Sequence, residues 1–331
     1  MLALAGVAAP WSLWGWSALA AVAAAAVALV LRPSRRRRWP ALAAALVVVA
    51  IAVIRVAATG RAGAPARMLT LPDGGSSRWL GRLIDEQDVA LAGARLLTWR
   101  WPLTREERAT LPRATRAAYV EMRSDLGLTP SPVFDNLLGR QSPAAFDAMV
   151  VARQRDAAPP RSAVVFLHGY AGSFTLECWL VARAADAIGA ITVCPATGFS
   201  GRWSDRDGER TLRATLDFLR ARNIRRVYLA GLSNGAAGAA ALAPRFAGSL
   251  AGLILISGAP ASGAAAGVPA LVVHGDRDPM ASAGGARSYV TQHHARYAGF
   301  DAGHFVLLTH RKEARAAIAG WLLATEAARN R

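Results

Sequence analysis

Apolar and polar positions divide the chain into three regimes. The first 31 residues carry no charged side chain, and Trp11 to Leu31 is a predominantly apolar run of 21 residues. About 20 such residues suffice to cross a bilayer as a helix. The turn Arg32-Pro33-Ser34-Arg35-Arg36-Arg37-Arg38 separates this run from a second one, Trp39 to Ala58, which is broken only by Arg55. Arg55 lies close enough to the end to snorkel toward the headgroups. The pattern predicts a transmembrane helical hairpin over residues 1–60, with spans at about 11–31 and 39–58. Trp11, Trp14, Trp16 and Trp39 sit near the span ends, where indole rings favour the interface. A cleaved signal peptide is the competing reading. It fits only the second segment, where arginines precede the apolar core and Ala62-Gly63-Ala64 follows it. The positive-inside rule puts the arginine turn in the cytoplasm, so both readings place the chain from about residue 60 outside it, on a periplasmic or outer face.

The second regime, 61–145, reads as linker and helical spacer. Gly60 to Ser77 is rich in glycine, proline and small polar residues. From Trp79 to Trp101, apolar residues recur at helical spacing (Leu80, Leu83, Ile84, Ala90, Leu91, Ala94, Leu97), and a charge-rich helical stretch follows from Arg105 to Asp125. Thr129-Pro130-Ser131-Pro132 breaks the pattern. No chemistry is legible between 68 and 145; the segment reads as a spacer packed on the domain that follows.

In the third regime, 146–331, short β-branched runs alternate with amphipathic ones. The runs are Ala148–Val151, Ala163–Leu167, Ile191–Cys194, Val227–Ala230, Leu253–Ile256 and Leu271–Val273. Apolar strands alternating with helices predict an α/β domain whose mostly parallel sheet is covered on both faces.

Composition sharpens this in two ways. Of 331 residues, 53% are hydrophobic and 18% charged, which excludes a disordered or fibrous chain. The net charge of +17 comes from 39 basic and 22 acidic residues. Residues 1–60 contribute six arginines and no acid, and the remaining +11 is spread without a block. The one dense arginine run lies between two apolar segments, where it sets topology, so no nucleic-acid partner is expected. Two cysteines, Cys178 and Cys194, are too few for a disulfide scaffold or a cysteine-only zinc site. Nothing suggests a metal, nucleotide or flavin site, so no cofactor is expected.

The candidate chemistry begins with Gly231-Leu232-Ser233-Asn234-Gly235, which follows the strand Val227–Ala230 and opens an alanine-rich helical stretch. A G-x-S-x-G turn between strand and helix presents its serine above the sheet. Leu167-His168-Gly169-Tyr170 ends an earlier strand, so the amides of Tyr170 and Asn234 are the candidate oxyanion donors. His168 reads as a residue holding its loop. A nucleophilic serine needs a base and the base an orienter. His304, after Gly303, is the candidate base; His293 and His294 read as solvated, and His310 as a helix start. For the orienter Asp276, Asp278 and Asp301 compete. Asp278 is favoured because it lies three residues past Gly275, where the loop can reach back to the histidine.

With these four motifs, His168-Gly169-Tyr170, Gly231-Leu232-Ser233-Asn234-Gly235, His274-Gly275-Asp276-Arg277-Asp278-Pro279 and Gly303-His304, residues 148–325 resemble an α/β-hydrolase fold domain of the esterase and lipase kind. The resemblance implies a Ser233–His304–Asp278 triad that forms an acyl-enzyme and releases it to water. It departs from many relatives in one place: Ser257 to Val268 leaves no room for a cap, so either the site is open or the segment 79–140 covers it. The loop between Cys194 and Glu209 offers Phe199 and Trp203 as substrate contacts; ordinary loop packing is the alternative. The expected function is a membrane-anchored serine hydrolase acting on a small-molecule or lipid-like carboxylic ester, with the bilayer as partner. A serine peptidase or acyltransferase would use the same triad, and a catalytically silent hydrolase-fold binding module is the alternative from another class. In an extracytoplasmic compartment Cys178 and Cys194, both at the carboxyl edge of a parallel sheet, are placed to form a disulfide; the alternative is two small buried hydrophobes.

Overall fold

The structure, a computed structural model, describes residues 38–60, 64–76, 79–83, 85–152 and 160–329, together with Ser12, Gly15, Ser17 and Ala20. A first helix, α1 (Arg38–Ala58), covers the second apolar run. The expected first span lies almost wholly outside the described residues. Among the described residues, no helix is long and apolar enough to cross a membrane, so the expected pair of transmembrane helices is not supported. Arg55 also departs from expectation. It is 3% exposed, with its guanidinium 3.7 Å from Asp85, so protein rather than headgroups surrounds it.

The stretch read as linker supplies two strands, β1 (Ala66–Leu71) and β2 (Gly75–Ser76). Then come α2 (Trp79–Leu83), α3 (Glu86–Arg100), α4 (Arg105–Leu126) and α5 (Val133–Leu137). The remaining strands are β3 (Phe146–Val151), β4 (Ser162–Leu167), β5 (Ile191–Pro195), β6 (Arg226–Leu232), β7 (Gly252–Ile256), β8 (Ala270–Gly275) and β9 (Arg296–Phe300). Between and after them run α6 (Thr175–Ala185), α7 (Arg206–Arg220), α8 (Asn234–Phe246), α9 (Ala283–His293), α10 (Val306–Thr309) and α11 (Arg311–Arg329).

All nine strands form one sheet in the order β2-β1-β3-β5-β4-β6-β7-β8-β9. From β5 to β9 every pairing is parallel, while β3 and β1 attach antiparallel at one side. The expected mostly parallel α/β architecture is therefore present. Alternation along the strands explains its two cores. Ala163, Val165 and Leu167 of β4 face α7, α8 and α9, whereas Val164 and Phe166 face α4, α6 and α11. Leu253 and Leu255 against Ile254 and Ile256 repeat the split on β7. Side chains of a strand point alternately to opposite faces, so a strand buried on both must be apolar throughout.

Candidate active site

The carboxyl ends of the parallel strands gather the motif residues. Ser233 stands between β6 and α8 at φ 53° and ψ −118°, a strained conformation for a non-glycine residue. Its neighbours make that turn possible. A Cβ on Gly231 would lie 2.2 Å from the Gly235 carbonyl oxygen, and one on Gly235 would lie 2.0 Å from that of Leu167. The Ser233 amide donates to the Ile256 carbonyl at 2.8 Å, tying the turn to the end of β7.

His304 follows β9 and precedes α10. Its Nε2 lies 3.1 Å from Ser233 Oγ and its Nδ1 2.8 Å from Asp278 Oδ2. Asp278 in turn accepts the amides of Met280 (2.8 Å) and Ala281 (2.9 Å) through Oδ1. Burial acts to raise the Asp278 carboxyl, but the His304 hydrogen bond and charge and those two amides outweigh it and hold the group below its usual range. The competing carboxylates are engaged elsewhere. Asp276 accepts from Arg287 (2.7 Å) and Tyr297 (2.6 Å), and Asp301 pairs with Arg277. Fully buried His274 lies 3.8 Å from Asp278, and burial lowers its pKa.

The loop after β4 lies against the serine turn: a Cβ on Gly169 would sit 3.3 Å from that of Ser233. Tyr170 follows Gly169 in that loop, and Asn234 follows Ser233 at the first position of α8. Its side chain donates to the Ser200 carbonyl at 2.9 Å, joining the turn to the 194–209 loop. His168 is 1% exposed and holds two backbone segments together. It accepts the Thr197 amide at Nε2 (3.1 Å), which leaves Nδ1 to donate to the Gly169 carbonyl (2.8 Å). Burial lowers its pKa to about 4, so the imidazole stays neutral at ordinary pH.

The two expected substrate contacts separate. Trp203 is 0% exposed, donates its indole N–H to the His168 carbonyl at 3.0 Å and packs on Gly238 of α8. It belongs to the core, and its expectation as a substrate contact is corrected. Phe199 is partly exposed, with its ring 5.1 Å from that of exposed Tyr170 in an edge-on arrangement.

Sequence reasoning missed the grip of the helical spacer on both site loops. Glu86, at the start of α3, accepts the amides of Thr175 (2.9 Å) and Leu176 (3.2 Å) and so caps α6, just past the Tyr170 loop. Asn136 packs on Gly172 (φ +98°) and donates to the Thr197 carbonyl. Glu107 of α4 accepts the Phe305 amide at 2.8 Å, one residue past His304. The spacer buttresses the site from the side. Thr104-x-x-Glu107 was legible as a capping box, but not the second partner of its glutamate.

No protein-family model and no curated protein matches the sequence. Among solved structures, the chain is similar to Est1E from Butyrivibrio proteoclasticus with ferulic acid bound (14% identity, TM-score 0.46, 55% of this chain and 96% of that one). An esterase from Pyrococcus furiosus matches at 12% identity and TM-score 0.46, over 54% of this chain and 87% of that one. An α/β serine hydrolase without lid from Xanthomonas campestris matches at 22% and 0.42, over 54% and 90%. At such identities and scores the likeness assigns neither substrate nor mechanism.

Proposed function

We propose that the chain is a membrane-associated serine hydrolase that cleaves a carboxylic ester through an acyl-enzyme. The observation that carries the reading is the hydrogen-bonded series Ser233–His304–Asp278, at 3.1 and 2.8 Å. In this mechanism His304 takes the Ser233 proton as Oγ attacks the carbonyl carbon, and Asp278 stabilises the imidazolium. The amides of Tyr170 and Asn234 stabilise the oxyanion, each for about 3–4 kcal/mol. The imidazolium then protonates the leaving alcohol, and water resolves the acyl-enzyme by the same path in reverse. The exposed Tyr170–Phe199 pair supports an open mouth for an apolar acyl or alkoxy group.

Membrane association is supported by α1, whose Leu46, Val47, Val49, Val53 and Ile54 are exposed. A contiguous apolar surface of this kind marks an interaction site, and lipid fits a helix with no charge between Arg38 and Arg55. The arginine turn and the Cys178–Cys194 bridge favour an extracytoplasmic catalytic domain.

The test is labelling by a fluorophosphonate probe together with ester hydrolysis across graded acyl lengths. Ser233→Ala is expected to abolish labelling and lower kcat by on the order of 10⁴–10⁶-fold without loss of fold. Asp278→Asn is expected to be severely impaired and Asp276→Asn nearly normal. The opposite ranking of the two aspartates would refute the assignment of the orienter.

A further inference from the structure

We propose that Glu107, on α4 of the helical spacer, is a positioning residue for the base; the inference rests on the triad reading above. Glu107 is 1% exposed, and its carboxylate is divided between two elements. Oε2 accepts the backbone N–H of Thr104 at 3.1 Å and its hydroxyl at 3.3 Å, closing the capping box of α4. Oε1 accepts the Phe305 N–H at 2.8 Å. The histidine loop is thus bonded to the first turn of α4 immediately beyond His304. On the other side of His304, the Arg277 amide donates to the Ala302 carbonyl at 3.0 Å, linking the loop to the turn that carries Asp278. His304 is held between one anchor from its own sheet and one from the spacer.

The residue before the histidine records the same contact. A Cβ on Gly303 would fall 1.9 Å from Glu107 Oε2 and 2.2 Å from its carboxyl carbon. The carboxylate lies against the backbone there, and a side chain at 303 would have to push it aside. Apolar packing fixes the approach: Phe305 and Leu308 meet Leu97, Leu103 and Leu111 beside the glutamate. Arg277, bonded at 2.9 Å to Glu106 and also paired with Asp301, adds a second strut between α4 and the same loop. A buried carboxylate accepting a backbone amide makes a short, charge-assisted bond, and a base must hold its geometry to within fractions of an ångström. Glu107 touches no reacting atom; it acts through the position of His304.

The test uses the full chain with p-nitrophenyl butyrate and a fluorophosphonate probe. Glu107→Ala is expected to lower kcat by about 10–100-fold and to slow probe labelling in parallel, with KM nearly unchanged. A loosened His304 is misaligned with both Ser233 and Asp278, so turnover and labelling should fall together while substrate binding is spared. Glu107→Gln keeps an acceptor for the Phe305 amide and should recover most of the rate. Thr104→Ala removes only the capping hydroxyl, and should lower the melting temperature while leaving kcat alone. Gly303→Ala should reproduce the kcat loss in the wild-type background and add little to Glu107→Ala; if Glu107→Ala folds poorly, Gly303→Ala alone and Glu107→Gln carry the test. A Glu107→Ala rate within twofold of wild type, or an equal kcat loss in Thr104→Ala, would overturn the proposal while the triad stands. A wild-type chain that neither labels nor turns over ester would sink the triad reading and this inference with it.

Discussion

At the residue scale, identical residue types have been given unlike tasks by their surroundings. His304 is poised between a hydroxyl and a carboxylate, whereas His168 is walled in by the core with both nitrogens bonded to backbone. Its pKa of about 4 against 6.5 in the unfolded chain has a definite sign. Between those values the unfolded state binds the extra proton, so stability is full above pH 6.5 and is lost as pH falls toward 4. The difference corresponds to on the order of 3 kcal/mol. Glu177, pushed up to about 8 by burial and by Glu86, works in the opposite direction over part of that range. The informative measurement is therefore the melting temperature of wild type and His168→Gln between pH 7 and 4. The variant is expected to be less stable at pH 7, and the gap to close on acidification. The two aromatics of the 194–209 loop differ in the same manner. Trp203→Ala should cost about 3–5 kcal/mol of unfolding free energy in denaturant titrations. Phe199→Ala should leave stability nearly intact and raise KM for long acyl esters. Equal destabilisation by both would place Phe199 in the core.

At the element scale, small residues decide how closely helices approach the sheet. Gly235 and Gly238 let α8 lie against the Leu167 carbonyl and the Trp203 side chain, which is why the alanine-rich stretch after the serine packs where a bulkier helix would not fit. The bridge between Cys178 of α6 and Cys194 at the end of β5, with Cα atoms 5.9 Å apart, ties a helix start to a neighbouring strand end. A loop of this length is worth about 3 kcal/mol in the chain-entropy account. The Cys178→Ala/Cys194→Ala pair should therefore melt roughly 6–12 °C lower than the oxidised wild type, at 2–4 °C per kcal/mol for a domain of this size. Protein recovered from its own compartment should show no alkylatable thiol before reduction; two free thiols would refute the bridge there.

At the scale of the whole molecule, the α/β domain, the spacer and α1 meet through ionic contacts as well as apolar ones. Asp85 faces Arg55 of α1 and Arg123 of α4, and Asp88 accepts the amide and hydroxyl of Ser12 at 2.8 and 2.7 Å. The N-terminal segment is thereby fastened to the spacer that grips the site loops. A reporter fused after Arg331 is expected to read as extracytoplasmic, and one inserted among Arg35–Arg38 as cytoplasmic. A cytoplasmic readout at the C-terminus would overturn the proposed compartment.

What the sequence by itself determined is whatever depends on neighbours in the chain. The alternation of strands and helices and the glycine-flanked Ser233 turn are set within a few residues, and their periodicity or spacing shows in the order of amino acids. Position in the chain favoured Asp278 over Asp276 and Asp301, but only the tertiary structure decided which arginine, tyrosine or amide each of the three carboxylates meets across the fold. The same holds for β1, read as linker because one short run inside a glycine- and proline-rich stretch carries little pattern of its own until β3 pairs with it. It holds most for Glu86, Asn136 and Glu107. Their spacing to Thr175, Gly172 and Phe305 is 89, 36 and 198 residues, and a contact across such separations leaves no periodic trace in the sequence.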